Sequence, residues 1–109
     1  MAEMRMVLDA PYGSTLAAVT TNATGTTVGD GVPRGTASTV AVGTSTLAGT
    51  LTIEGSLDGT TWVSTGTTVA LTAASTVTAT STGKAFRYYR TSLSGASGAG
   101  TCTATIAAV

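Results

Sequence analysis

Ile53-Glu54-Gly55-Ser56-Leu57-Asp58-Gly59-Thr60-Thr61-Trp62-Val63 sets Asp-Gly between two stretches in which larger apolar residues alternate with polar ones. Asp-Gly in that setting predicts a β-hairpin closed by a two-residue type I′ turn, because both central residues of that turn need positive φ. The register follows from the turn: Leu57 faces Thr60, Gly55 faces Trp62 and Ile53 faces Ser64. Residues paired across a hairpin share a face. Ile53, Leu57 and Trp62 are therefore expected together in the core, with Gly55 leaving room for the indole. Thr52, Glu54, Ser56, Thr61 and Val63 fall on the opposite face. A slip of one residue would turn all three large apolar groups outward. Asp58 and Gly59 then carry the turn, and Trp62 serves the core rather than a sugar-stacking platform.

Outward from this hairpin, short Thr-rich or apolar runs recur every 8–12 residues or so between Gly-containing turns, the pattern of a β-sandwich or barrel. Strands are predicted over 15–21, 37–42, 50–57, 60–65, 69–72, 76–80, 86–93 and 101–108, with 25–35 a long loop around Asp30-Gly31 and Pro33. No stretch sustains a helical period. The fold class is all-β: a single antiparallel β-sandwich, jelly-roll-like, of about eight strands over residues 14–109. Residues 1–13 differ in composition and end in Pro11-Tyr12-Gly13. They are expected to form an extended N-terminal arm that lies on a partner, with Met4, Met6, Val7, Leu8 and Tyr12 as its contacts.

Composition supports sheet throughout. About a third of the 109 residues are Ser or Thr, and threonine is β-branched and suited to strands. Only five residues are aromatic: Tyr12, Trp62, Phe86, Tyr88 and Tyr89. A core made mostly of Ala, Val, Leu and Ile buries little area per residue at about 25 cal/mol per Å², so support from neighbours is expected. Charged residues make up 9% of the chain and balance to a net charge of zero. Nucleic-acid binding needs clustered Lys and Arg to neutralise phosphates and is not expected. Near-zero charge instead favours association.

The chemistry of catalysis is sparse. There is no histidine, which removes the commonest general base and metal ligand. No acidic pair has the spacing of a glycosidase dyad, and no Gly-rich loop leads into a Lys-Ser/Thr helix start. No enzyme activity, metal or cofactor is expected. Cys102, the single cysteine, reads as a small core residue. Residues 1–11 lack the apolar stretch and cleavage site of an export signal, and no run approaches a membrane span. Synthesis in a cytoplasm without an export signal, and no contact with membrane, are expected.

Phe86-Arg87-Tyr88-Tyr89-Arg90-Thr91-Ser92-Leu93 is the second informative stretch. In a strand, Phe86, Tyr88 and Arg90 share one face, and Arg87, Tyr89, Thr91 and Leu93 the other. Both faces carry aromatics and an arginine, so alternation alone does not say which is buried. Tyr and Arg together favour interfaces, and Phe86, Tyr88 and Arg90 are candidates for a second contact patch. An arginine stacked on its own cross-strand neighbour is the intramolecular alternative.

Ser56-Leu57-Asp58-Gly59-Thr60-Thr61-Trp62, followed by Phe86-Arg87-Tyr88-Tyr89-Arg90, resembles the S-x-D-G-x-x-W and R-Y-x-R elements of discoidin-type (F5/8 type C, galactose-binding-like) β-sandwiches. Shortened versions with a Gly/Thr-rich final hairpin, like residues 94–109, are similar to small structural proteins of tailed bacteriophages. The resemblance implies a virion structural protein. The expectation that follows is a capsid decoration (cement) protein on the capsid surface, bridging major capsid subunits and associating with copies of itself, as a trimer. The alternative is a carbohydrate- or receptor-binding module of a phage tail or cell surface, with a glycan as partner.

Overall fold

The computed structural model describes residues 12–109, which form eight strands and no helix. These are β1 (Tyr12–Val19), β2 (Ala23–Thr24), β3 (Ala37–Gly43), β4 (Ala48–Ser56), β5 (Val63–Leu71), β6 (Thr76–Ser81), β7 (Tyr88–Ser97) and β8 (Cys102–Ala108). Two four-stranded antiparallel sheets result: sheet A in the order β1-β8-β3-β6 and sheet B in the order β2-β7-β4-β5. The pairs β4·β5, β3·β6, β2·β7 and β1·β8 are all hydrogen-bonded. That is one long ribbon folded at the β4–β5 turn and then wrapped into two sheets, the jelly roll. The expected sandwich is present. Expected strands 60–65 and 69–72 fuse into β5, which bulges at Gly66 (φ 86°), and the short β2 was not anticipated. β1 begins at Tyr12, inside the stretch expected to be an arm; residues 1–11 lie outside the described residues.

Inward positions alternate along the strands as period two demands. On β3 these are Ala37, Thr39 and Ala41, on β7 Tyr89, Thr91 and Leu93, and on β8 Cys102, Ala104, Ile106 and Ala108. They build two apolar clusters. One centres on Leu16, Leu47, Leu51, Leu71 and Leu93, the other on Ile53, Tyr89 and Ile106. Between them the inward positions of β3 and β7 are threonines. Thr91 Oγ1 donates to Thr39 Oγ1 (3.0 Å), Thr39 Oγ1 donates to the Thr105 carbonyl (2.8 Å), and the Thr91 N–H donates to Thr15 Oγ1 (3.0 Å). Thr15 Oγ1 in turn donates to the Thr26 carbonyl (3.0 Å). Every buried hydroxyl in this set has a partner, as burial requires. Cys102 is fully buried, and burial pushes its thiol pKa up.

The hairpin register differs from the expected one by a single residue. Gly55 pairs with Val63 and Glu54 with Ser64, so residues 57–62 form a longer loop. The physical reason is side-chain capture of the backbone. The Asp58 carboxylate accepts the N–H groups of Thr60 (2.8 Å) and Thr61 (2.7 Å), and Ser56 Oγ accepts that of Gly59 (2.8 Å). Gly59 has a φ of 79°, whereas Asp58 does not adopt positive φ. An Asx-type loop therefore replaces the type I′ turn. The slip turns two of the three large apolar groups out, not all three: Leu57 is 62% exposed and Trp62 lies outside the core, while Ile53 stays buried. Gly55 is covered by Phe86 instead of the indole, and a Cβ there would overlap the Phe86 ring.

Two outcomes follow. Thr39→Val removes the acceptor for Thr91 and the donor to Thr105, and should cost about 1–3 kcal/mol in urea unfolding. Thr39→Val combined with Thr91→Val should cost less than the sum of the two single changes, because the orphaned hydroxyl goes with its partner. The second concerns acid. The Thr61 and Thr60 N–H groups hold the Asp58 carboxyl well below its ordinary 3.8, at about 2. A group whose pKa is depressed on folding stabilises the native state above its unfolded pKa and loses that effect as pH falls through the folded one. The loop should thus loosen between about pH 4 and pH 2. An NMR titration of the Asp58 carboxyl checks this, and Asp58→Asn should flatten that part of the stability profile.

Candidate interaction surfaces

The outer face of sheet B is built on the central pair β4·β7, where Glu54 stands opposite Arg90 and Thr52 opposite Ser92. Arg90 Nε donates to Glu54 Oε1 (2.7 Å), and Ser92 Oγ donates to the same oxygen (2.7 Å). The Arg90 guanidinium also lies over the Trp62 ring, 4.1 Å from its centroid, a cation–π contact worth about 0.5–1 kcal/mol at a partly exposed site. The loop register thus places Trp62 on the outer face as a lid over Arg90. The arginine therefore stacks within the molecule, on a loop residue and not on its cross-strand neighbour Glu54, with which it forms an ion pair. One face of the indole and one edge of the guanidinium are occupied by the protein itself.

The candidate patch Phe86, Tyr88, Arg90 is divided. Tyr88 and Arg90 point outward; Phe86 turns inward and meets Tyr89 edge-on, with centroids 6.0 Å apart and rings at 88°. The buried face of this stretch is the one with Tyr89, Thr91 and Leu93. Phe86 precedes β7, in an isolated bridge to Arg34, so strand alternation does not extend to it. Tyr88 is lodged between two loops: a Cβ at Gly29 would stand 2.9 Å from its ring, and one at Gly59 3.7 Å. The Tyr89 hydroxyl donates to the Arg34 carbonyl (2.6 Å), which ties the 25–35 loop to the sandwich.

Sheet A presents a different outer face. None of its four strands contains a charged residue. Among the described residues, Asp30, Arg34, Asp58, Lys84 and Arg87 lie in connections and Glu54 and Arg90 on sheet B. The outward positions of β3 are Ser38, Val40 and Val42, and those of β8 are Thr103, Thr105 and Ala107. β6 adds Thr76, Thr78 and Thr80. Val40 and Val42 are 43% and 45% exposed, and Tyr12 64%. Tyr12, Ser38, Val40, Thr105 and Ala107 line an open groove of about 390 Å³ across β3, β8 and β1. Of the expected arm contacts, Tyr12 stands at the rim of this groove. Met4, Met6, Val7 and Leu8 lie outside the described residues.

The sequence did not single out Val40, Thr105 or Ala107. The signal was present in the uncharged outward phase of 37–42 and 101–108, which becomes a surface property only when the topology sets those strands side by side.

No protein-family model matches the chain, and no curated protein matches it. Among solved structures, the crystal structure of PirA is similar, with a TM-score of 0.51 and 15% identity over 93% of this chain and 87% of that one. At that identity the likeness is one of fold alone.

Proposed function

We propose that this domain is a non-catalytic structural protein of a virion, specifically a bacteriophage capsid decoration protein that seats the outer face of sheet A on neighbouring capsid subunits. The observation that carries the proposal is the absence of charge from every strand of sheet A. Desolvating a charge adds several kcal/mol to the cost of docking one protein surface on another, and among the described residues the strands of this face have none to desolvate. Its exposed valines supply apolar contact, and its threonine hydroxyls can be satisfied by a partner's backbone. The resemblance to small phage structural proteins gives this docking a setting. Residues Met4, Met6, Val7 and Leu8, which precede Tyr12 in the chain, are proposed as further contacts. The mechanism is passive: each copy bridges subunits and adds buried interface that resists internal pressure.

A second reading rests on the outer face of sheet B, where Trp62 stacks on Arg90 and Tyr88 sits between two loops. It is a glycan-binding module of a tail or cell-surface protein. Arg90 already occupies one face of the Trp62 ring, which leaves less aromatic surface for a sugar and ranks this reading below the first.

Co-sedimentation with capsids that lack the protein tests the proposal. Val40→Lys and Thr105→Lys, both at solvent-facing positions, should leave the circular dichroism spectrum and melting point unchanged. Each should reduce capsid occupancy by about 10-fold or more, the effect of an unpaired buried charge. Undiminished occupancy in both variants overturns docking through sheet A. A glycan array with hits that vanish in Trp62→Ala transfers the function to sheet B.

A further inference from the structure

Each sheet has two edge strands, and an edge with free N–H and C=O groups invites pairing unless it is blunted. Three of the four edges here are blunted. β1 has two breaks in register against β8, and Ala18 sits in the left-handed region at φ 50°. β2 is two residues long. β5 is bulged, with three residues opposite the single Ile53 and Gly66 at φ 86°. β6 is not blunted. It pairs with β3 through six consecutive residues without a break and contains no charge, proline or glycine.

The hydrogen-bond phase of β6 is fixed by one bond beyond its end. The Gly43 N–H donates to the Ser75 carbonyl (2.8 Å), so this pair is of the hydrogen-bonded kind, in register with β3·β6. Such pairs alternate in an antiparallel ladder. Val77, Ala79 and Ser81 therefore bond to β3, and Thr76, Thr78 and Thr80 direct their N–H and C=O groups to the open edge.

We propose that two copies of this chain join along β6, antiparallel, about a two-fold axis through Thr78. In that register Thr78 faces Thr78 of the second copy and Thr76 faces Thr80, so all three free donors and all three free acceptors of each copy are matched. No neighbouring register that preserves the faces does this; each leaves one of the three threonines without an edge-facing partner. Side chains agree as well. Threonines oppose threonines on the outer face, a favourable cross-strand pair, and Val77 opposes Ala79 on the inner face. The β5 strands brought alongside by the axis carry no charge. The product is a closed, isologous pair in which two copies of sheet A form one continuous sheet. The inference concerns an edge, and it stands or falls independently of what the outer face binds.

Sedimentation equilibrium and amide exchange of the full chain test it. The chain should dimerise reversibly, and the Thr76, Thr78 and Thr80 amides should exchange more slowly as dimer forms. Thr78→Pro removes both donors at the axis without touching a β3 bond, and should raise the dimer dissociation constant by about 100-fold. Thr78→Lys, which sets like charges opposite each other at an exposed position, should do the same and guards against misfolding of the proline variant. A wild-type monomer at millimolar concentration overturns the proposal. So does a dimer that survives Thr78→Lys, or one in which the Thr78 amide stays unprotected. A dimer broken only by Val40→Lys moves self-association to the outer face and also overturns it.

Discussion

The rest of the structure depends on a hydrogen-bonded belt of buried threonines that runs from sheet A to sheet B through the middle of the core. Thr39 on β3 and Thr91 on β7 meet hydroxyl to hydroxyl, and Thr15 on β1 takes the Thr91 N–H. A core with few aromatics cannot key two sheets together by the shapes of large side chains alone. Here directional bonds do that work. They set β1, β3 and β7 at one height, with leucines packed on one side and Ile53, Tyr89 and Ile106 on the other. Gly25 belongs to the same constraint, because a Cβ there would overlap Thr15 Oγ1 and the Thr91 carbonyl. The chain can cross from β2 into the long loop at that point only without a side chain.

Once the belt fixes which phase of each strand faces inward, the outward phases are fixed too, and they give the molecule two unlike faces. On sheet B the outward polar groups answer one another: Glu54 accepts from Arg90 and Ser92, and Arg90 stacks on Trp62. That surface is internally satisfied. A half-buried ion pair on a sheet face adds little stability, and its effect is to hold Trp62 and the 57–62 loop in place. On sheet A the outward groups are hydroxyls and small apolar side chains that need nothing from one another. A neutral, flat surface of this sort has low cost to cover, and an unguarded strand edge lies along one side of it.

Much of the fold was legible because turn signals and β-branched runs recur at sandwich spacing, and 37–42 and 101–108 were recognisable as strands with little error. The misreadings share a cause. Threonine suits both faces of a strand: Thr39 and Thr91 are buried while Thr78 and Thr105 are exposed. Period-two contrast is therefore weak in a chain this rich in Thr, and register rests on turn chemistry. At Asp58-Gly59 the dipeptide pointed to a two-residue turn, but Ser56 and the Asp58 carboxylate together stabilise a longer one. That single residue of slip moved Trp62 from the expected core to the outer face. Phe86 was misplaced for a related reason, since its position is set by a bridge to Arg34 in a distant loop, which no local pattern encodes.

The contrast among the four edges bears on what the protein is built for. Bulges, a two-residue strand and left-handed backbone protect β1, β2 and β5, so this fold has the means to guard an edge. A freely diffusing protein with balanced charge would need such protection everywhere, because long-range repulsion does not keep its copies apart. β6 lacks it in six consecutive residues, and the neighbouring face of sheet A lacks even one lysine or glutamate to discourage contact. An open edge and a charge-free face on the same sheet fit a chain selected to be covered. On the proposed reading, neighbours would supplement the stability that a core of small side chains provides, and they would sit on the two surfaces that lack protection.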